Sequence, residues 1–370
     1  MKRARIIQVS SYYPPHLGGQ ENAVFSLTQQ LAKAHYDVRV LTSTNGGGAV
    51  GCKTENGTRV HRMRSLVFGH APIMPWLPIA LLRAAKPDSL VHVHIGQAFT
   101  PEVVWLMAKM CGFKYVAQLH IDFKASGPVG VLLPLYKKFV LKRVLQSAAA
   151  VVTLNHKTHQ IVQDTYKYTG KARVMNNGVD DIFFESNRKL LPRHPPKVLR
   201  LLFVGRFSKQ KNIGALLQAC ALTPRQVHLD IIGDGAERGE VLDTIGRLQL
   251  KNISLHGRLG REEVIKFYET CDVLVMPSLY EAQPLVLLEA MAARIPIIGT
   301  RVIGVEEHLK DAGILAEPTA KGLADAFEQY YASYHLLPAM IKKGSAIAEK
   351  LQWSRTLKQY EALYEDAMAH

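Results

Sequence analysis

Two glutamates lie eight residues apart in the segment YEAQPLVLLEA, with Glu281 before an aliphatic run and Glu289 after it. Proline is favoured in the first turn of a helix, so Pro284 predicts a helix from Leu285 onward. The free amides of Leu285 and Val286 are then expected beside Glu281. The two acids are either solvated ends of a buried helix or ligands for one bound molecule. The apolar neighbours of Glu289 favour the second interpretation, because a carboxylate in such surroundings needs a partner.

A basic loop, VGRFSKQKN, covers Val204–Asn212 and follows a predicted strand that ends at Gly205. Arg206 presents a planar fork that fits two phosphate oxygens, and Lys211 adds a point charge. Together these side chains suit a diphosphate. A solvated basic loop is the common alternative, and Lys209 fits that description.

The turn after the first predicted strand, PPHLGGQE, places Gly18 and Gly19 directly before a predicted helix. Two glycines allow backbone amides to approach a ligand closely at a helix N-terminus. The segment lacks the G-x-G-x-x-G spacing of dinucleotide sites. A plain strand-to-helix turn is the equally good alternative.

One histidine, His120, ends the predicted strand YVAQLH. Ligands of doubly wound sheets bind beyond the carboxyl ends of the strands, so this position favours a functional role. A single histidine is more often structural, and His92 and His94 lie inside or at the end of another buried strand. We therefore expect His120, rather than the other two, to face a ligand.

The sequence contains no Asp-x-Asp pair, no His/Cys cluster with metal-ligand spacing, no G-x-x-x-x-G-K-[ST] and no G-x-S-x-G. We therefore expect no metal and no cofactor. Phosphate charge would be met by Arg206, Lys211 and helix amides.

These residues require a repeated alternation of strands and helices to position them. Apolar runs rich in β-branched residues predict buried parallel strands. The runs are RIIQVS, VRVLT, LVHVHI, YVAQLH and AAVVTL in the first half, and LRLLFVG, HLDIIG, ISLHG, DVLVMP and IPIIGT in the second. The pattern predicts an α/β fold of two doubly wound Rossmann-like domains that face each other across a cleft.

The polar, proline-rich segment Glu185–Lys197 lies between the two halves and predicts a linker and hinge. It separates an N-terminal domain of residues 1–184 from a C-terminal domain of residues 198–352. Residues 353–370 form a predicted helix that we expect to pack back toward the N-terminal domain. A chain of 370 residues with 48% hydrophobic content suits two cores.

The net charge of +15 favours phosphate-rich partners: nucleotides, nucleic acid or an anionic membrane surface. Nucleic acid is disfavoured, because no aromatic interleaving or recognised module accompanies the charge. Four dispersed cysteines without a C-x-x-C pair indicate a reducing compartment. The most apolar stretch, Leu66–Leu82, contains three prolines and does not predict a spanning helix. We therefore expect a cytoplasmic protein, soluble or peripheral at the inner face of the membrane.

The order and spacing of these motifs resemble the retaining glycosyltransferases of family 4, which have the two-domain GT-B fold. The resemblance covers most of the chain. Glu281 and Glu289 match the E-x7-E signature, and the other matching segments are PPHLGGQE, LH at His120, NNGVDDIFF, VGRFSKQKN and IIGDGAE.

The resemblance implies a nucleotide-sugar donor, UDP- or GDP-linked, that carries a hexosyl or N-acetylhexosaminyl group. Arg206 and Lys211 would bind the donor diphosphate. Glu289 would bind the ribose hydroxyls, and Glu281 the transferred sugar.

The resemblance also implies roles for the remaining predicted site residues, near the reacting carbon and the phosphates of the donor. His120 would contact the donor sugar near the reacting carbon. The amides near Leu285 and Val286 would bind the distal phosphate. Gly18 and Gly19 would allow the acceptor and the phosphate to approach.

Three positions depart from the family pattern. Gln283 replaces a residue that is often apolar. Arg294 lies where glycine is common. The usual G-G before a later glutamate reads Val302-Ile303-Gly304. The first two could alter donor-sugar contacts or helix packing.

The segment Gly130–Gln146 is predicted to be a basic amphipathic helix, with Lys138 and Lys142 opposite an apolar arc into which Arg143 intrudes. It either packs on its own domain or binds anionic lipid headgroups. The second interpretation suits a lipid-linked or surface-glycan acceptor in a bacterium. A soluble small-molecule acceptor and a catalytically silent binding subunit remain the alternatives.

Overall fold

The structure is a computed structural model that describes residues 4–16, 18–45, 47–68, 71–120, 133–188 and 191–369. The strands within these ranges are β1 Arg5–Ser10, β2 Asp37–Ser43, β3 Gly51–Glu55, β4 Thr58–Met63, β5 Leu66–Phe68, β6 Ala71–Ile73, β7 Ser89–Ile95, β8 Lys114–Leu119, β9 Ala150–Thr153, β10 Ala172–Val174, β11 Val198–Val204, β12 Gln226–Ile232, β13 Ile253–Gly257, β14 Val273–Met276, β15 Ile297–Thr300 and β16 Ile314–Ala316.

The helices follow most strands, as expected of crossover connections between parallel strands. They are α1 Gly19–Lys33, α2 Leu77–Ala84, α3 Thr100–Cys111, α4 Leu133–Tyr136, α5 Lys142–Gln146, α6 His156–Asp164, α7 Ile213–Leu222, α8 Arg238–Arg247, α9 Arg261–Thr270, α10 Leu285–Ala292, α11 Ile303–Leu309, α12 Ala320–Ala332, α13 Leu337–Lys350 and α14 Trp353–Ala369. A π-helical turn, Lys137–Leu141, joins α4 to α5, and short 3-10 turns cover Asp181–Phe183, Lys209–Lys211 and Tyr334–Leu336.

The first compact unit comprises Met1–Gly178 and Trp353–His370. Its sheet has the order β10-β9-β8-β7-β1-β2-β4-β3, and its pairs are parallel except for β3 with β4. All seven residues of β7 are buried, because the sheet is covered on both faces. The direction in which strands are added reverses between β1 and β7, which is where doubly wound sheets bind ligands.

The second unit comprises Val179–Gln352 and contains the parallel sheet β13-β12-β11-β14-β15-β16. Here the direction reverses between β11 and β14. Two apolar clusters lie within this unit. One is centred on Leu201, Phe203 and Ile231, and the other on Leu274, Leu287 and Ile297.

The predicted strands are confirmed in both units, and two doubly wound Rossmann-like units are present. The sequence patterns missed β3, β4, β5, β6, β10 and β16. Four of these strands are only three residues long, and β3 and β4 contain several polar or charged residues, so none shows the long continuous apolar run that marks a buried parallel strand.

The domain boundary lies six residues earlier than the sequence predicted, and Glu185–Lys197 is not a free linker. The chain passes between the units at Gly178–Val179 and returns at Gln352–Trp353. The described part of the predicted linker is bound to the second unit. Arg188 donates to the carbonyl oxygens of Tyr268 and Cys271, each at 2.6 Å. Proline carbonyls in this segment also accept hydrogen bonds, from the Tyr331 and Tyr334 hydroxyls.

The C-terminal helix α14 belongs to the first unit. Its Trp353, Tyr360 and Leu363 are buried against residues of the first sheet, including Ile6 and Val116. A Cβ added at Gly178 would lie 2.3 Å from the Trp353 ring, so only glycine fits where the chain leaves the unit. The apolar face of α14 therefore completes the core of the first unit.

Candidate active site

The loop after β11 and the loop after β14 flank the point where the second sheet reverses. The first loop carries Arg206 and Lys211, and the second carries Glu281. Asn212 joins the two loops, because its amide donates to the carbonyl oxygens of Pro277 and Pro318 at 3.1 and 3.2 Å. Two chain segments that are far apart in sequence thereby form one site.

The closest charged contact at this site joins Lys211 to Glu281. The Lys211 Nζ lies 2.5 Å from Glu281 Oε1, and the two side chains are 18% and 7% exposed. The Ser278 hydroxyl donates to the same oxygen at 2.7 Å, and Gln210 Nε2 lies 3.4 Å from the other. Glu281 is therefore fixed in orientation, and Lys211 is fixed beside it. Sequence reasoning missed Ser278 and Gln210, which lack any motif of their own.

Arg206 differs from Lys211, because its side chain is exposed and forms no ion pair with the described residues. The loop that carries it is supported by a close backbone approach. A Cβ on Gly233, which has φ of +137°, would lie 1.9 Å from the Gly205 carbonyl oxygen, and one on Gly235 would lie 2.3 Å from that of Phe207. The two glycines of IIGDGAE therefore allow their backbone to pack closely against the loop that carries Arg206.

Helix α10 begins at Leu285, as predicted, with Pro284 as the preceding cap residue. The Leu287 amide already bonds to the Pro284 carbonyl oxygen at 3.1 Å. The amides of Leu285 and Val286 belong to the first turn, where no carbonyl within the helix can accept from them. The start of α10 therefore offers donors and the positive end of a helix dipole four residues after Glu281.

Glu289 has a separate set of neighbours from Glu281. Burial raises the pKa of Glu289 to about 7, Arg261 acts to lower it, Asp180 acts to raise it, and the Tyr268 hydroxyl lowers it slightly. Arg261 also forms a short ion pair with Asp180. The carboxylate is thus half-titrated near neutral pH. Sequence reasoning missed Arg261 and Tyr268, and the signal for Asp180 was its place in NNGVDDIFF.

One departure from the family pattern, Arg294, and one glycine that the pattern shares, Gly304, have structural explanations. Arg294 has φ of +60°, in the left-handed region that favours glycine. Its guanidinium lies 3.4 Å from the Ser186 carbonyl oxygen, which gives the arginine a contact that glycine would lack. Gly304 is retained because a Cβ there would lie 2.3 Å from the Ala282 carbonyl oxygen. Helix α11 can therefore approach the backbone that carries Glu281.

The first unit places the other predicted residues at the corresponding edge of its own sheet. Gly18 caps α1 and Gly19 begins it. A Cβ on Gly18 would lie 2.2 Å from a carboxylate oxygen of Glu21, whereas the same position on Gly19 faces open space. Glu21 is buried and lies 3.1 Å from His16 Nδ1. A side chain at position 18 would therefore require the Glu21 carboxylate to move, whereas Gly19 has open space beside it.

His120 follows β8 directly and is buried. Burial lowers its pKa to about 4, and the negative charge of Glu21 opposes that shift. The ring is neutral at pH 7. Its Nε2 lies 2.9 Å from His94 Nδ1, so His94 is a direct neighbour of the predicted site residue.

The described part of Gly130–Gln146 is helical from Leu133 to Gln146, and Gly130–Leu132 lie outside the described residues. Its buried side is formed by Leu141, Val144 and Leu145. Arg143 is exposed rather than within the buried arc, and two apolar residues are exposed instead, Leu135 and Phe139. The predicted pattern was wrong here, because the π-helical turn shifts the residues that follow it around the helix axis.

Exposed apolar side chains continue on the elements next to this helix. Helix α3 packs against α2 and against the helical run 133–146, and Phe68 of β5 contacts Phe99 at the start of α3. We call this set the apolar face; it consists of Leu66, Val67, Phe68, Trp76, Leu82, Leu106, Met110, Leu135 and Phe139. No helix among the described residues is long and apolar enough to cross a membrane. Within the same residues, no group of three or more His, Cys, Asp or Glu could hold a metal ion.

Comparisons with known proteins agree with this geometry. Residues 17–182 match the family described as Glycosyltransferase Family 4, and residues 185–346 match Glycosyl transferases group 1. The N-acetyl-alpha-D-glucosaminyl L-malate synthase of Bacillus anthracis is 26% identical, with 96% of this chain and 95% of that protein covered. One subunit of the phosphatidylinositol N-acetylglucosaminyltransferase of Arabidopsis thaliana is 24% identical, with 99% and 83% covered.

A solved structure, sucrose-phosphate synthase from Thermosynechococcus elongatus, has the same fold with a TM-score of 0.82 at 22% identity, covering 99% of this chain and 100% of that one. The family matches together extend over nearly the whole chain. The protein belongs to the glycosyltransferases of family 4 and group 1, and its fold is GT-B.

Proposed function

We propose that the protein is a retaining glycosyltransferase that moves a hexosyl or N-acetylhexosaminyl group from a UDP- or GDP-sugar to a lipid-linked glycan. The observation that carries this proposal is the Lys211–Glu281 pair beside the start of α10. Cationic groups and free amides suit the donor diphosphate, and the oriented carboxylate of Glu281 suits the hydroxyls of a sugar.

The reaction breaks the bond between the anomeric carbon of the sugar and the distal phosphate oxygen, and the electron pair stays with the phosphate. The acceptor oxygen forms its bond to the same face of that carbon, and its proton passes to the departing phosphate oxygen. Lys211, Arg206 and the amides of α10 stabilise the charge that develops on the phosphate. In this scheme no flanking pair of carboxylates is required, unlike in glycosidases.

A donor screen tests this function. The protein is incubated with UDP-, GDP- and ADP-linked glucose and N-acetylglucosamine, and release of the nucleoside diphosphate is measured with and without lipid-linked acceptors. We expect release with a UDP- or GDP-sugar and an α-linked product by NMR. A β-linked product would refute retention, and no release from any donor would favour a silent binding subunit.

The apolar face supports a lipid-linked acceptor. The elements that carry these apolar residues also carry exposed basic residues, which include Arg83, Lys109, Lys138 and Arg143. Apolar side chains surrounded by lysine and arginine are typical of surfaces that lie in the interface of an anionic bilayer. The two relatives named above act by name on L-malate and on phosphatidylinositol, so soluble and lipid acceptors both occur among similar proteins.

Reversing two charges on this surface should weaken membrane binding. Each basic residue near an anionic surface contributes about 1 kcal/mol, so Lys138→Glu with Arg143→Glu should lower vesicle affinity at least about 10-fold. Co-sedimentation with vesicles of phosphatidylglycerol and phosphatidylcholine measures the effect.

The matched control changes the same charge on the second unit, with Lys251→Glu and Lys343→Glu, two exposed lysines. We expect that variant to bind nearly as the wild type does. Equal loss in both variants would mean that net charge alone drives binding. Binding by neither variant nor wild type would favour a soluble acceptor.

A further inference from the structure

A chain of buried polar side chains runs through the first unit from His120 to His92. His120 Nε2 lies 2.9 Å from His94 Nδ1, and His94 Nε2 lies 2.6 Å from Gln8 Oε1. The Gln8 amide nitrogen lies 3.4 Å from the Tyr364 hydroxyl, which lies 2.7 Å from His92 Nδ1. Strands β1 and β7 contribute Gln8, His92 and His94. His120 directly follows β8, and α14 contributes Tyr364.

The three histidines of this hydrogen-bond chain, His92, His94 and His120, are neutral. Burial lowers the pKa of His92 to about 3, that of His120 to about 4, and that of His94 well below its usual value. Each neutral ring carries one proton, so one ring nitrogen donates and the other accepts. The order of the contacts then decides which nitrogen is which.

The orientation of the Gln8 amide sets the direction of the whole chain. Its oxygen faces His94 Nε2, so that nitrogen carries the proton and His94 Nδ1 must accept. The acceptor at His94 Nδ1 requires a proton on His120 Nε2. On the other side, the Gln8 amide nitrogen donates to Tyr364, whose hydroxyl can then donate to His92 Nδ1. Every hydrogen bond of the chain therefore has the same direction, from His120 toward His92. Hydrogen bonds aligned in this way polarise and strengthen one another.

The chain ends at His92. When Tyr364 donates to His92 Nδ1, the proton of His92 resides on Nε2. That nitrogen is buried and has no hydrogen-bond partner among the described residues. The direction of the chain is therefore set by the Gln8 amide and not by the contacts of His92.

We propose that Gln8 and His94 are positioning residues that hold His120 as the Nε2–H tautomer. The remaining ring nitrogen, Nδ1, then offers only a lone pair, and it has no hydrogen-bond partner among the described residues. His120 can accept a hydrogen bond there and cannot donate one. It therefore selects a ligand group with an O–H or N–H, such as a sugar hydroxyl, and disfavours a group that only accepts. The sugar as ligand rests on the function proposed above, whereas the tautomer of His120 does not.

NMR of the ring nitrogens, recorded on the full-length protein with ¹⁵N-labelled histidine, tests the tautomer of His120 independently of enzyme activity. The signals of His120 are identified by their loss in His120→Asn. We expect a protonated Nε2 and an unprotonated Nδ1 in the wild type. The opposite tautomer would reverse the whole chain and overturn the proposal.

Two substitutions at Gln8 test its role. Gln8→Met keeps the approximate shape and removes the acceptor, so His120 should become a mixture of tautomers and turnover should fall at least about 10-fold, as when a catalytic histidine loses the group that orients it. Gln8→Glu keeps an acceptor oxygen toward His94, so the Nε2–H tautomer and most of the turnover should return. An unchanged tautomer in Gln8→Met would overturn the positioning role.

Tyr360→Phe is the matched control, because it removes a buried hydrogen bond of the same region that is not part of the chain to His120. We expect it to lower stability without changing the His120 tautomer. If the tautomer is as proposed but no nucleotide sugar is cleaved, the function proposed above fails and the tautomer assignment stands.

Discussion

Lys211→Met should lower turnover by about 100- to 1000-fold, the loss typical of removing one group that stabilises charge developing in a transition state. Lys211 Nζ lies against Glu281 beside the start of α10, where the donor phosphates are expected. Initial rates with a saturating nucleotide sugar measure the effect. Lys209→Met is the matched control, since Lys209 is exposed in the same 3-10 turn, and we expect it to retain most of the activity.

Lys211→Met should also lower the free energy of unfolding, because Glu281 loses its cationic partner. Removing one member of a buried ion pair typically costs about 3 kcal/mol. Hydrogen bonds from Ser278 and Gln210 reduce that cost here. Lys211→Met combined with Glu281→Gln should recover stability, because it leaves no unbalanced charge, while remaining inactive. Urea unfolding and turnover are measured for Lys211→Met, the double variant and the Lys209→Met control, which separates the effect on stability from the effect on catalysis. Near-normal activity in the double variant would contradict the site assignment.

The apparent KM for the donor should rise as the pH falls through about 7. Burial raises the pKa of Glu289 to about 7, so the carboxyl is largely protonated at pH 6 and largely ionised at pH 8. An ionised carboxylate can accept hydrogen bonds from two ribose hydroxyls, whereas the protonated group has a donor in one of those places. We expect KM to increase about 10-fold from pH 8 to pH 6, as for one proton that competes with binding.

Glu289→Gln should remove this pH dependence and leave KM high at every pH. Stability should change in the opposite sense. Because the folded pKa lies above the unfolded one, Glu289 stabilises the protein fully below about pH 4.5, and that contribution is lost as the pH rises through about 7. The variant should therefore show a smaller fall in unfolding free energy between pH 5 and pH 8. Glu262→Gln, on the exposed start of α9, is the control for a lost surface charge. A KM that still varies with pH in Glu289→Gln would assign the titration to another group.

The sequence alone determined the main apolar strands and where the chemistry-bearing residues attach to them. Buried parallel strands must be mostly apolar, so β1, β7, β8, β11, β12 and β14 are visible as runs rich in β-branched and aliphatic residues. Residues at the carboxyl end of such a strand lie at the ligand edge of the sheet, which is why Lys211 and His120 could be singled out. The start of α10 was equally predictable, because Pro284 acts locally.

Only the tertiary structure decided which of these residues meet, because the contacts join positions far apart in the chain. Lys211 and Glu281 are separated by 70 residues, and Gln8 and Tyr364 by 356. No local pattern reports such pairs, so the sequence could not match Glu281 with Lys211 and Gln210. The direction of the hydrogen-bond chain through the histidines was hidden for the same reason. The unit boundary was misplaced for the same reason. A proline-rich segment looks like a linker until distant side chains such as Tyr331 and Tyr334 are seen to bind its carbonyls.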